Sequence, residues 1–284
     1  LAEPTVSRTR TGSARFGWAV VLPRPVYGTI AVAAGIAGVA LLAFPGSTPR
    51  YFSWPLAPTP AAALVGGFYV ASIFTFGAAL TRDWAQTRAL AVASLGLTIP
   101  TFIATLVHHA VFDFSRPQAI AWLLIFGTAP VVFVVMLVVI PSGKTDPART
   151  LPRWAGVAAV VLAVGFAFGA VALWIDPTGW GAWLPFRPPP MTGRFLGAWA
   201  VFFFLLSSWI VVRPAAEARI PAVGLTAFGA GAALAGFRTF GQLDFGSRRV
   251  AFMVVAIAVM LGGAALTWAS NRQMRSGEAP RGLT

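Results

Sequence analysis

The 284-residue chain is 57% hydrophobic and only 10% charged, with a mean hydropathy of +0.77, where an ordinary soluble domain carries roughly 25% charged residues. That excludes a soluble globular domain. A formal charge of +13 would point to nucleic acid in a soluble chain, but here the basic residues lie in loops and tails between apolar stretches, where they report topology and imply no nucleic-acid partner.

The first 25 residues carry Arg8, Arg10, Arg15 and Arg24. Their one apolar stretch, Phe16 to Leu22, is too short for a signal-peptide core followed by a cleavage site, so 1–25 reads as a basic cytoplasmic tail. Eight windows then follow, each long enough to cross a hydrocarbon core roughly 30 Å thick. They run from about Val26 to Phe44, Pro60 to Leu80, Arg88 to His108, Pro117 to Ile140, Arg153 to Trp174, Thr192 to Val212, Ala218 to Gly236, and Val250 to Ala269. Breaks fall at Phe44-Pro45-Gly46, Pro141-Ser142-Gly143-Lys144 and Asp176-Pro177-Thr178-Gly179, where turn residues and charges interrupt the apolar pattern. The third and seventh windows lie closest to the threshold for a span: they are short, rich in Gly, Ala and Thr, and set off from their predecessors by tight polar turns. The expectation is an all-α integral membrane protein with eight transmembrane helices.

Sliding the second half onto the first at a constant shift of 131 residues superposes Pro58 on Pro189, Gly66 on Gly197, Arg82 on Arg213, Arg88 on Arg219 and Ala104 on Ala235. Asp113-Phe114 then falls on Asp244-Phe245. No gap is needed from the second span through the fourth, and the identities fall on turn and boundary residues. Two tandem four-helix repeats are therefore expected, 26–141 and 153–270, joined by a linker at 142–152 and followed by a tail at 271–284. An even number of spans per repeat makes the repeats parallel, related by an axis along the membrane normal.

With eight spans both termini share a side. Arg50, Arg116, Arg187, Arg194, Arg238, Arg248 and Arg249 fall on the other side, leaving fourteen of the 21 basic residues with the termini. The positive-inside rule then places both termini in the cytoplasm. Lys144 is the single lysine, and with abundant Ala, Gly and Pro this Arg bias reads as a high-GC bacterial chain, hence a bacterial inner (plasma) membrane. No cysteine is present, which removes disulfides, thiolate metal sites and cysteine nucleophiles.

The side predicted to be external has the most repeat-specific residues. The lead-ins to the second and sixth spans read Trp54-Pro55-Leu56-Ala57-Pro58-Thr59-Pro60 and Trp183-Leu184-Pro185-Phe186-Arg187-Pro188-Pro189-Pro190. Such runs favour extended backbone and place indoles at headgroup depth. Asp113 and Asp244 recur in both halves; Ser115 and Ser247 read as helix caps, and pairing with Arg116 and Arg248 would satisfy the acids. Trp54, Asp113, Arg187 and Asp244 are the binding candidates of this face. His108, beside His109, is the one candidate ligand for a cofactor or quinone; the sequence requires no cofactor and has no metal-binding spacing.

The segments Phe52-Ser53-Trp54-Pro55-Leu56, Ala62-Ala63-Leu64-Val65-Gly66-Gly67-Phe68-Tyr69 and Ala104-Thr105-Leu106-Val107-His108, leading to Phe112-Asp113-Phe114, resemble uncharacterised multi-pass membrane proteins of high-GC bacteria. That resemblance implies a span count of about eight and no particular chemistry.

On the terminal side, Arg82-Asp83-Trp84 with Arg88, and Arg213 with Glu217 and Arg219, form matching basic turns that orient the chain and contact anionic headgroups. Gly165-x-x-x-Gly169 fits a close helix contact. Ionisable residues are nearly absent at mid-depth, which argues against an ion-coupled pump, and no catalytic constellation or nucleotide-binding loop is present. The first expectation is a non-catalytic integral subunit or scaffold of a larger membrane assembly, with membrane lipids and other integral subunits as partners. The alternative is a carrier or binding protein for a lipid, quinone or other apolar ligand in the groove between the repeats.

Overall fold

The computed structural model describes residues 23–142, 150–243 and 246–276. Arg8, Arg10, Arg15, Lys144, Arg149, Asp244 and Arg281 lie outside the described residues. In hydrocarbon every backbone N–H and C=O must be paired within the protein, so a chain this apolar must build helices or a closed barrel. It builds helices: α1 Pro23–Ala43, α2 Thr59–Ala79, α3 Trp84–Val107, α4 Pro117–Val139, α5 Arg153–Ile175, α6 Pro190–Val212, α7 Ala215–Arg238 and α8 Gly246–Ser276. All eight are long and apolar enough to cross a membrane, and no strand occurs among the described residues.

Helix starts follow proline chemistry. α2, α4 and α6 each carry Pro in the first two positions, where the missing N–H has no intrahelical partner to lose. Hydroxyls inside the bundle are satisfied locally: Ser72 donates to the Phe68 carbonyl at 3.0 Å, Thr98 to Ser94 at 2.8 Å, and Thr105 to Thr101 at 2.8 Å. Bonding to the carbonyl four residues back lets Thr-rich α3 sit inside the membrane with little polar cost.

The third and seventh spans are full-length, not short. α3 and α7 have 24 residues each, because Asp83 and Pro214 start the helices and Trp84 and Ala215 are already buried in the bundle. The last helix also runs past Ala269 through Asn271 to Ser276, since Arg272, Gln273, Met274 and Arg275 are good helix formers with no breaker among them.

Burial divides the helices into two classes. Between 44% and 72% of the apolar window of α2, α3, α6 and α7 is buried, against 22% to 28% for α1, α4, α5 and α8. Within each half the outer helices pack on inner ones: α1 on α2, α3 on α4, α5 on α6 and α7 on α8. Two inner pairs join the halves, α2 on α7 and α3 on α6.

Glycines mark the closest crossings. A Cβ on Gly67 would lie 2.2 Å from the Gly231 carbonyl oxygen, and one on Gly231 would lie 2.3 Å from that of Gly67, so α2 and α7 meet backbone to backbone. Gly38 and Gly66 do the same for α1 and α2, and Gly229 and Gly263 for α7 and α8. Gly165 and Gly169 do not form the expected contact. A Cβ on Gly165 meets nothing, and one on Gly169 only touches Ala200 at 3.9 Å, because α5 is an outer helix turned largely towards lipid.

An aromatic core runs down the centre. Phe68, Trp199, Phe203 and Phe228 join α2, α6 and α7, with Phe68 and Phe203 rings 5.2 Å apart and Trp199 and Phe228 rings 5.4 Å apart. Phe195 and Trp122 continue it to Phe52 and Trp54 at one end of the bundle.

Candidate functional site

A groove of about 640 Å³ opens on the side of the bundle between α2, α7 and α8. Val70, Ala71 and Phe74 form one wall; Thr226, Ala230, Gly231 and Leu234 form its floor; Met260, Ala264, Thr267, Trp268 and Asn271 form the other wall. Its depth follows from the sequence: small residues on α7 and α8 leave unfilled space beside the tight α2–α7 crossing. Thr226 and Thr267 turn their hydroxyls to the carbonyls of Ala222 and Gly263, both at 2.9 Å, so the walls present carbon. The volume falls in the range of ligand pockets, roughly 300–1,000 Å³.

The groove is graded along its length. α8 ends, and α7 begins, at the end of the bundle that carries Arg82, Arg88, Arg213 and Arg219, and Ser270 fastens the two there by donating to the Ala215 carbonyl at 2.5 Å. Asn271 and Trp268 lie at that end of the groove, and the Arg272 guanidinium stands 4.7 Å from the Trp268 ring centroid. Nearby, Arg82 and Arg219 are close enough for their like charges to oppose each other. Arg88 donates to Ser142 Oγ, while its Nε is buried without a partner.

The opposite end holds the residues singled out from sequence, and it does not bring them onto one surface. Trp54 is only 2% exposed. Its lead-in folds over the bundle end, with Ala57–Pro58 in cis, and the indole packs against Trp122 at 4.8 Å and Phe195 at 5.5 Å. Trp54 is thus a core residue and not an interfacial anchor. Trp183, in the corresponding lead-in, is 72% exposed. Asp113 and Arg187 are exposed, and Asp244 is outside the described residues.

Asp113 is a turn residue. Its Oδ1 accepts from Ser115 N at 3.1 Å and Ser115 Oγ at 2.6 Å, and these bonds hold its carboxyl below the usual range. Ser115 therefore serves the acid and does not cap α4, whose preceding residue is Arg116. The Arg116 charge also favours the ionised acid, as a lesser cause than the Ser115 bonds, but the guanidinium's hydrogen bonds go elsewhere. Arg116 donates to the Pro49 and Arg50 carbonyls at 2.7 and 2.8 Å, because the short helical turn Thr48–Tyr51 presents its open carbonyl end there. Arg248 likewise donates to the Ala182 carbonyl at 2.6 Å, which leaves it engaged with the Trp180–Trp183 turn.

His108 ends α3 and meets Arg194 of α6, whose Nη1 hydrogen-bonds its Nε2. Arg194 also donates from Nε to the Trp174 carbonyl at 3.4 Å. Partial burial and the Arg194 charge hold the imidazole below its ordinary pKa, so it serves as a neutral acceptor. With Nε2 engaged, His108 acts as a strut between the halves and is poorly placed to ligate a cofactor. Among the described residues no group of three or more His, Asp or Glu side chains could hold a metal ion.

No family model, curated protein or solved structure matches the chain. Sequence reasoning offered a groove between the repeats but did not name its lining, because Ala, Gly, Thr and Val look like ordinary helix packing. The one available signal was the polar stripe Thr267-x-x-x-Asn271 near the end of the last span, flanked by Trp268 and Arg272.

Proposed function

We propose that this protein is a non-enzymatic lipid-binding membrane protein that holds a hydrocarbon chain in the groove between α2, α7 and α8. The groove carries the reading: it is lined with carbon along its length and polar only at the end where Trp268 and Asn271 sit. In a bilayer apolar burial alone gives no drive, since lipid tails are as apolar as the wall, and affinity comes from close packing and displaced loose lipid. The small residues Ala230, Gly231 and Ala264 permit that close approach. No titratable side chain lines the groove, which favours holding a ligand over transforming it.

The two halves are tandem parallel repeats in this reading, and the groove lies between them. Three features support it: the ungapped 131-residue offset, the matched packing of outer on inner helices, and a shared clamp. Arg116 reaches the Arg50 carbonyl and Arg248 the Ala182 carbonyl, each across 66 residues. The reading also places the protein in a bacterial plasma membrane with both termini cytoplasmic, so reporter fusions after Ser142 should read cytoplasmic and fusions near Thr178 external. The subunit reading has no comparable feature, because the exposed Val and Ile of the outer helices are ordinary lipid-facing residues.

Native mass spectrometry of the full chain, extracted in mild detergent, tests the binding. Ala230→Trp fills the groove and should strip a retained lipid mass that the wild type keeps; equal retention by both proteins would overturn the proposal.

A further inference from the structure

The groove holds a chain; the residues beyond its end say what head that chain carries. On α7 the groove face runs through Leu234, Gly231, Ala230, Thr226 and Val223, and the same helical row continues one turn further to Arg219, four residues before Val223. On α8 it runs through Ala264, Thr267 and Asn271 and continues to Arg275. On α2 it runs through Val70 and Phe74, and the chain leaves that helix into Arg82. On α7 and α8 the groove face is thus followed one turn on by an arginine, and α2 runs out of its last turn at Ala79 into Arg82.

Among the described residues basic side chains outnumber acids at this end: Arg24, Arg82, Arg88, Arg153, Arg213, Arg219, Arg272 and Arg275 belong to it, and the acids there are Asp83 and Glu217. Glu217 is buried within α7 and already engaged. Arg82 just past the end of α2 and Arg219 near the start of α7 lie at adjoining helix ends, where a Cβ on Gly224 would stand 3.2 Å from Thr75; their like charges oppose each other, and an anion seated at that end relieves the repulsion. Guanidinium groups suit phosphate because their planar fork donates two parallel hydrogen bonds.

From this convergence we infer that the groove's ligand is an amphipath with a phosphate-bearing anionic head, seated against Arg82 and Arg219 while its chain lies between α2, α7 and α8. This rests on the groove binding a chain. Two sources share the chemistry, a bulk anionic phospholipid and a polyprenyl monophosphate.

The test is native mass spectrometry of the delipidated full chain, titrated separately with phosphatidylglycerol, phosphatidylcholine of the same acyl chains, and a polyprenyl monophosphate. The wild type should retain at least one of the two anionic lipids about ten-fold better than phosphatidylcholine. Whichever anionic lipid is retained better identifies the source. Arg82→Gln with Arg219→Gln should abolish that preference while phosphatidylcholine retention stays unchanged, and Arg82→Lys with Arg219→Lys should keep part of it. Should the Gln pair fail to fold, the wild-type preference measured at low and high salt decides, since a head held by charge loses its advantage as salt rises. Equal retention of anionic and zwitterionic lipid, or a preference that survives the Gln pair or high salt, overturns the anionic head and leaves the groove intact. Retention of none of the three removes the groove reading itself.

Discussion

Adding one methyl group at the α2–α7 crossing should separate the two halves of the bundle. A Cβ on Gly67 would stand 2.2 Å from the Gly231 carbonyl oxygen and 2.7 Å from its carbon, whereas ordinary contact begins at 3.4 Å. Backbone cannot swing aside as a side chain does, so Gly67→Ala must push the helices apart by about 1 Å or shift them along each other. Overpacking of this kind costs about 1–3 kcal/mol, set against a gain of up to about 1 kcal/mol from the helix propensity of Ala over Gly. Gly165→Ala is the matched control, because its Cβ meets nothing within 4 Å and only the propensity gain remains. Thermal unfolding in detergent, followed by loss of the monodisperse peak, should rank Gly67→Ala below wild type and Gly165→Ala at or above it. Equal stability of the two variants would refute the backbone-to-backbone crossing.

Trp54→Ala should cost about 3–5 kcal/mol, as expected for emptying a buried aromatic site, while Trp54→Phe should cost far less because the buried indole Nε1 has no hydrogen-bond partner to lose; equal losses in thermal stability would contradict the core role. Arg116→Gln and Arg248→Gln each remove charged hydrogen bonds to backbone carbonyls, and because these sites are exposed the loss should be on the order of 1 kcal/mol apiece, measured by the same unfolding assay. For His108 the folded pKa lies below the ordinary 6.5, so the unfolded chain binds the proton more readily. Its stabilising contribution is present above pH 6.5 and is lost as pH falls through the lower folded value. His108→Gln should flatten that part of the stability profile, and an unchanged profile would remove the Arg194 strut.

The spans were legible because the bilayer makes length and hydropathy nearly sufficient: all eight windows contain helices displaced by only a few residues. The ends were harder to place. α3 and α7 begin in segments with charges, such as Trp84 to Arg88, whose polarity hides helices anchored by a buried Trp84. Trp54 was misplaced for a related reason. A Trp in a Pro-rich lead-in reads as interfacial, and only the folding of that segment over Trp122 and Phe195 makes it core. Glycine spacing pointed to Gly165 and Gly169, yet the close crossings use Gly67 and Gly231, since spacing along one helix says nothing about which face has a partner. The arginine clamps were visible as residues but not as contacts: Arg116 and Arg248 bind carbonyls 66 and 67 residues away, beyond the reach of a local turn rule. The groove is defined by side chains too small to fill a three-helix junction, a property of packing that no single segment encodes.

The most direct test of lipid binding is a contact map obtained with phosphatidylglycerol carrying a photoreactive group in its acyl chain. Irradiation of the full chain in nanodiscs, followed by peptide mass spectrometry, should concentrate adducts on Ala230, Ala264, Val70 and their groove neighbours on α2, α7 and α8. Adducts spread evenly over the lipid-facing residues of the outer helices, such as Val32, Val138 and Val157, with no excess in the groove, would contradict the account.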